Sequence, residues 1–166
     1  MPIIIYNVPS RTGLNILPIT CLELSKIENI VAIKEASGNL SQIVEIASLC
    51  RDNLHIYSGN DDQILPVLSL GGLGVISVLS NIIPSVVHKM TENFFSGNIK
   101  DAIETQLNTL SLTNSLFCEV NPIPVKAALN MMGYNVGIPR LPLVEISNAG
   151  KEKLKKALLD YGLIQL

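Results

Sequence analysis

No tryptophan occurs among the 166 residues, phenylalanine occurs three times, and lysine and arginine together number only 12. Nucleic acids are held by basic stripes and by aromatic platforms on which bases stack, and this sequence offers neither. The net charge of -2 points the same way. Cysteine is scarce and odd in number: Cys21, Cys50 and Cys118, without CxxC spacing. That pattern argues against a disulfide framework and for a reducing, cytoplasmic setting. His55 and His88 lack a third ligand at metal spacing, so no metal site is expected. A basic start followed by an apolar core, the mark of a secretory signal, is missing. So is any apolar run near the roughly 20 residues that span a bilayer; "GGLGVISVLSNIIP" is cut by Gly and Pro. A soluble protein without membrane or nucleic-acid partners is expected.

Charge of either sign is also thin. Charged residues are 16% and hydrophobic ones 48%, against about 25% charged in an ordinary soluble domain. Much of the surface is therefore predicted to be buried against a partner. The length suits one domain with its own core.

Short apolar runs alternate with helical patterns. "PIIIYNV" (2–8) reads as a strand stopped by the turn signal "PSRTG". Pro18 opens a helix to about Lys26, with Ile19 and Leu22 on one face. "NIVAIK" is a second strand, and "NLSQIVEIASLC" carries apolar residues at 40, 43, 44 and 47, the period of an amphipathic helix. "LHIYSG", the helix "DDQILPVLSLGG", the strand "GVISVL" and a helix from Pro84 to Phe95 follow. From about Asn98 only helices are predicted: 98–117, one capped by Asn121 with Pro122 at its first position, and one from Ser147 to about 161.

Strands that are apolar on both faces, each followed by a helix, require a parallel sheet covered by helices. The class is α/β. Four such units make half of a (β/α)8 barrel over residues 1–97, with an all-helical region over 98–166. The other arrangement, an open doubly wound sheet, would want a phosphate turn after its first strand, and "NVPSRTG" is neither GxGxxG nor GxxxxGK[ST]. The half barrel is favoured.

In such a barrel, chemistry gathers at the carboxyl ends of the strands. Tyr6 and Lys34 both lie there. Lys34 shares its side of the strand with Ala32 and Ile30, while Val31 and Ile33 face the other way. A small Ala beneath leaves room for the lysine stem to lie inside. A partly desolvated lysine yields a neutral amine able to form an imine with a carbonyl, and a nearby phenol is a candidate proton shuttle. The competing reading has Lys34 reaching water at the strand end and pairing with Glu35. Asp61 and Asp62 suit a helix start, where negative charge meets the dipole. Cys118, Met131 and Met132 read as packing residues, and "KEKLKK" (151–156) as a solvated helix face with Leu154, Leu158 and Tyr161 turned inward.

"YNVPSRTG" (6–13), "IKEASGN" (33–39), "SGNDD" (58–62), "GGLGVISV" (71–78) and "NPIPVK" (121–126), in this order, resemble the dihydrodipicolinate synthase family of the N-acetylneuraminate lyase superfamily. The resemblance implies a pyruvate-dependent Schiff-base lyase of lysine and diaminopimelate biosynthesis, condensing pyruvate with aspartate semialdehyde. It gives Lys34 the role of the imine-forming lysine and Tyr6 that of the proton-relay tyrosine. Arg11 would hold the carboxylate of aspartate semialdehyde, where a planar bidentate donor suits better than lysine. Ile76 and Gly59 would border the bound pyruvate. No metal or organic cofactor is implied, because the iminium of Lys34 with pyruvate is itself the electron sink.

Arg11 favours the synthases over the N-acetylneuraminate and sugar-acid lyases of the superfamily, which remain the alternative activity. The resemblance begins at the family's fifth strand, directly after Met1, so a split gene, an internal start or an engineered fragment is expected. The "GTTGE"-type loop for the pyruvate carboxylate, the second relay tyrosine and the lysine-feedback residues have no counterpart. A homo-oligomer or a complementing N-terminal half is the implied partner, and a non-catalytic half-barrel scaffold is the rival reading.

Overall fold

A computed structural model describes residues 1–165. They form two compact units, Met1–Ser77 with Phe94–Gly97, and Val78–Asn93 with Asn98 onward.

The first unit holds four parallel strands, β1 (Ile3–Asn7), β2 (Ile30–Glu35), β3 (His55–Ser58) and β4 (Gly74–Val75), paired in the order β1-β2-β3-β4. Strictly sequential order has no switch point, which is the arrangement of a barrel and not of a doubly wound sheet. Between the strands run α1 (Pro9–Thr12), α2 (Pro18–Leu24), α3 (Leu40–Cys50) and α4 (Ile64–Ser69). Ile33 and Ile56 meet Cys21, Ile43, Ile46, Cys50 and Val67 in a buried cluster on the helix side of the sheet.

Several local expectations change. The turn "PSRTG" coils into the single turn α1, closed by Gly13 at φ 70, a left-handed cap that costs glycine nothing. In α2 the buried residues are Pro18 and Cys21, and Ile19 is exposed, because the inward stripe runs through 18, 21 and 22. In α3 it runs through Gln42, Ile43, Ile46 and Cys50, leaving Leu40 and Val44 outside. The fourth strand shrinks to two residues: it pairs with β3 alone, which ends at Ser58, and one further bond from the Ile76 amide to the Ser58 carbonyl closes the ladder.

The second unit is helical: α5 (Pro84–Phe95, its last two residues grouped with the first unit), α6 (Ile99–Asn108), α7 (Leu110–Leu116), α8 (Ile123–Met131) and α9 (Asn148–Asp160). The helix expected over 98–117 is divided at Thr109, whose hydroxyl donates back to the carbonyls of Thr105 and Gln106 while its amide and carbonyl keep their helical bonds to Thr105 and Thr113. Pro122, not Asn121, caps α8, since its carbonyl accepts the first helical bond from the Lys126 amide. Ser147 caps α9 by accepting from the Gly150 amide, and Leu154 and Leu158 are fully buried beneath an exposed lysine face. No helix among the described residues is long and apolar enough to cross a membrane.

Burial raises the Cys21 thiol from 9.0 to about 12, helped by the proximity of Cys50 and Glu35. Folded Cys21 therefore keeps its proton across a window in which the unfolded chain loses it. The stability this contributes is whole below pH about 9 and falls away toward pH about 12. Urea unfolding from pH 8 to 11 is expected to show that decline, and Cys21→Ala, though less stable at pH 7 by about 1 kcal/mol for the lost packing, should decline less steeply.

Candidate active site

Side chains alternate along each strand, so the sheet presents two rows of different character. Register places Tyr6 beside Lys34, Lys34 beside Tyr57 and Tyr57 beside Gly74, and one position further along, Asn7, Glu35, Ser58 and Val75. The second row faces the helices: Asn7, Glu35 and Ser58 are all buried. The first row faces away from them. There the Lys34 Nζ stands 4.1 Å from the centroid of the Tyr6 ring, a cation–π contact.

The pairing of Lys34 with Glu35 does not occur, because adjacent residues on a strand point to opposite faces. Glu35 is spent elsewhere. Its Oε1 accepts from the Ser37 amide at 2.6 Å, and its Oε2 from Asn7 Nδ2 at 2.9 Å and Gln42 Nε2 at 3.4 Å. Lys34 itself has no salt bridge or hydrogen bond from its side chain among the described residues, and Ala32 beneath it is buried.

Arg11 lies on α1, just past the end of β1, and its side chain is exposed without an ion pair among the described residues. Ile76 follows β4 and is 39% exposed. Gly59 follows β3, its amide donating to the Glu35 carbonyl at 2.7 Å. Each stands at the carboxyl end of a strand, on the rim where Tyr6 and Lys34 meet. No hydrogen bond, ion pair or ring contact joins Arg11, Gly59 or Ile76 to that pair.

The sequence model of the dihydrodipicolinate synthetase family matches residues 1–160. The chain belongs to that family. A 4-hydroxy-tetrahydrodipicolinate synthase of Caldicellulosiruptor saccharolyticus is 63% identical over 163 residues, 98% of this chain and 55% of the relative. One from Clostridium tetani is 59% identical, over 99% of this chain and 56% of its own. The crystal structure of dihydrodipicolinate synthase from Thermotoga maritima superposes with a TM-score of 0.94 at 42% identity, covering 99% of this chain and 57% of that one. That from Acinetobacter baumannii, complexed with pyruvate, gives 0.93 at 38% identity, covering 99% and 56%. The chain thus spans about half the length of the dihydrodipicolinate synthases it matches, and its four strands are half of the (β/α)8 barrel.

Sequence reasoning missed the polar knot behind the pair: Asn7, Asn15 and Gln42 around Glu35. Asn7 Nδ2 also donates to Asn15 Oδ1 at 2.9 Å, Asn15 Nδ2 donates to Gln42 Oε1 at 2.7 Å, and the Ile16 amide donates to Asn7 Oδ1 at 2.9 Å. A signal was available: Asn7 and Gln42 are amides at positions where strand alternation and helix period ask for apolar side chains.

Gly59 has no room for a side chain. A Cβ there would lie 2.6 Å from the Ala36 Cβ and 3.0 Å from the Glu35 carbonyl oxygen, so β2 and β3 would have to part just beyond Lys34. Gly59→Ala is expected to lower stability by about 1–3 kcal/mol, measured as a shift in the urea midpoint at unchanged m-value.

Proposed function

We propose that this chain supplies the imine-forming half of a pyruvate-dependent synthase, with Lys34 as nucleophile and Tyr6 as its proton relay. The observation that carries the reading is the Lys34 amine over the Tyr6 ring at the carboxyl ends of adjacent parallel strands, held by no acidic partner among the described residues. The names of the matching relatives support it, as does the pyruvate complex of the Acinetobacter baumannii protein.

The neutral amine of Lys34 adds to the keto carbon of pyruvate, and the carbonyl oxygen leaves as water after proton transfers through the Tyr6 phenol. The iminium draws electrons from the methyl carbon, which loses a proton to give an enamine. That carbon attacks the aldehyde of aspartate semialdehyde, whose carboxylate Arg11 would clamp with two parallel hydrogen bonds. Ring closure through the second substrate's amino group displaces Lys34 and frees it for another cycle. No step calls on a metal or an organic cofactor. Ile76 and Gly59 would wall the space beside the imine.

Borohydride reduction with labelled pyruvate tests the assignment on this chain complemented by the first half of a full-length relative. Label is expected on Lys34, none on Lys34→Ala, and none on Lys34→Arg, whose guanidinium stays protonated. Absence of label in the unaltered chain would leave the half barrel as a non-catalytic scaffold. Arg11→Ala should still be labelled, yet use aspartate semialdehyde less well by about 2 kcal/mol, the worth of a charge-assisted pair.

The apolar residues on the face away from the helices carry a second consequence. Ile4 is 50% exposed and Tyr6 48%, and parallel sheets are ordinarily covered on both faces. Self-association of the isolated chain follows, without the loop for the pyruvate carboxylate that the family resemblance assigns to the other half. Sedimentation at micromolar concentration should show species heavier than 18.0 kDa with little or no turnover; a single species at that mass would refute the association.

A further inference from the structure

Asn7 and Glu35 each follow, by one residue, a side chain of the proposed imine site. Alternation turns them to the opposite face, so the twist that aims Tyr6 and Lys34 at one another is the twist that aims Asn7 and Glu35 into the buried knot. The two strand ends are tied there twice. In the backbone, the Ala36 amide donates to the Asn7 carbonyl at 2.9 Å. In the side chains, Asn7 Nδ2 donates to Glu35 Oε2 at 2.9 Å. Gln42 reaches the carboxylate from α3, and Asn15, in the segment before α2, bonds Asn7 and Gln42.

Burying a carboxylate and three amides is costly, and a well-packed apolar set of equal volume is often as stable or more so. What polar partners add is a single permitted arrangement, since each donor must find its acceptor. Here every side chain of the knot is held by at least two hydrogen bonds. Both oxygens of Glu35 accept, both sides of the Asn7 amide are used, and Asn15 and Gln42 exchange hydrogen bonds in both directions.

We propose that Glu35, with Asn7, Asn15 and Gln42, is a positioning residue that fixes the strand ends so that the Lys34 amine stands over the Tyr6 ring. Its consequence for catalysis rests on the reading of Lys34 as nucleophile; the positioning itself does not.

The network's polarity gives the test its form. Glu35→Gln is isosteric, yet either orientation of the new amide sets an NH2 group against donors: against Asn7 and Gln42, or against the Ser37 amide. In Asn7→Asp/Glu35→Gln the carboxylate and the amide change places. The amide nitrogen introduced at position 35 then donates to the carboxylate introduced at position 7, and the amide oxygen still accepts from Ser37, while Asn15 and Gln42 flip their amides, which gives up only the 3.5 Å bond from Gln42 Nε2 to the Ile16 carbonyl. The single variant breaks the knot and the double variant remakes it with the opposite sense.

The readout is the NMR signal of Lys34 after reductive methylation with 13C-formaldehyde, assigned by its loss in Lys34→Arg. Methyls above the Tyr6 face are displaced by the ring current, and Tyr6→Leu should abolish the displacement. Glu35→Gln is expected to lose most of it while far-UV circular dichroism stays unchanged, and Asn7→Asp/Glu35→Gln to regain it. Should Glu35→Gln unfold, Asn15→Ala, at the partly exposed rim, takes its place with the same expected loss. Full displacement in a folded Glu35→Gln or Asn15→Ala, or no response to Tyr6→Leu, overturns the proposal. Pyruvate plays no part in this measurement, so failure of borohydride trapping with the displacement intact counts against the imine reading alone.

Discussion

The in-register pairing of β1 with β2 sets Tyr6 opposite Lys34 and, one residue on, Asn7 opposite Glu35. Because side chains alternate, one ladder builds two rows with different duties. The row facing away from the helices carries a lysine and an aromatic ring within contact distance. The row facing the helices carries a buried carboxylate and the amides that satisfy it. A slip of one residue would exchange the rows, placing the ammonium among Cys21, Ile43 and Ile46 and the carboxylate at the rim. Register and chemistry are therefore the same constraint.

Much of this was legible. Apolar strands alternating with helical periods implied the parallel α/β sheet, and the motifs from "YNVPSRTG" to "NPIPVK" pointed to the family that matches residues 1–160. Strand alternation alone placed Ala32 and Lys34 on one face and Ile33 on the other. What escaped were features decided by tertiary partners. Leu40 and Val44 obey the helical period as well as Ile43 and Ile46 do, and only the position of the sheet tells which stripe is inward. The division between α6 and α7 at Thr109 is marked by no Gly or Pro in the sequence. Glu35 looked like a partner for its neighbour Lys34 because sequence distance was read as spatial distance.

The first unit is finished on one side of its sheet and open on the other. Toward the helices, the centre of the sheet is buried to within a few per cent, as with Ile33 at 0% and Ile56 at 5%, while Ile5 is partly buried. On the opposite face Ile4, Tyr6 and Ile76 are exposed. The low charge content and this asymmetry have a common physical reading: residues chosen for a barrel interior have no need of solvent-facing polarity. The family members it matches are nearly twice its length, and that interior is what their remaining strands enclose.

The division of labour between the rows also explains why a carboxylate sits directly after the lysine without pairing with it. An acid on the same face would stand within reach of the ammonium and pair with it. An acid one residue later is turned away by the strand, and there both its oxygens accept from Asn7, Gln42 and the Ser37 amide. Glu35 can therefore be as close in sequence as the chain allows while its negative charge serves the strand junction. The lysine is left with the face of Tyr6, 4.1 Å from its ring centroid.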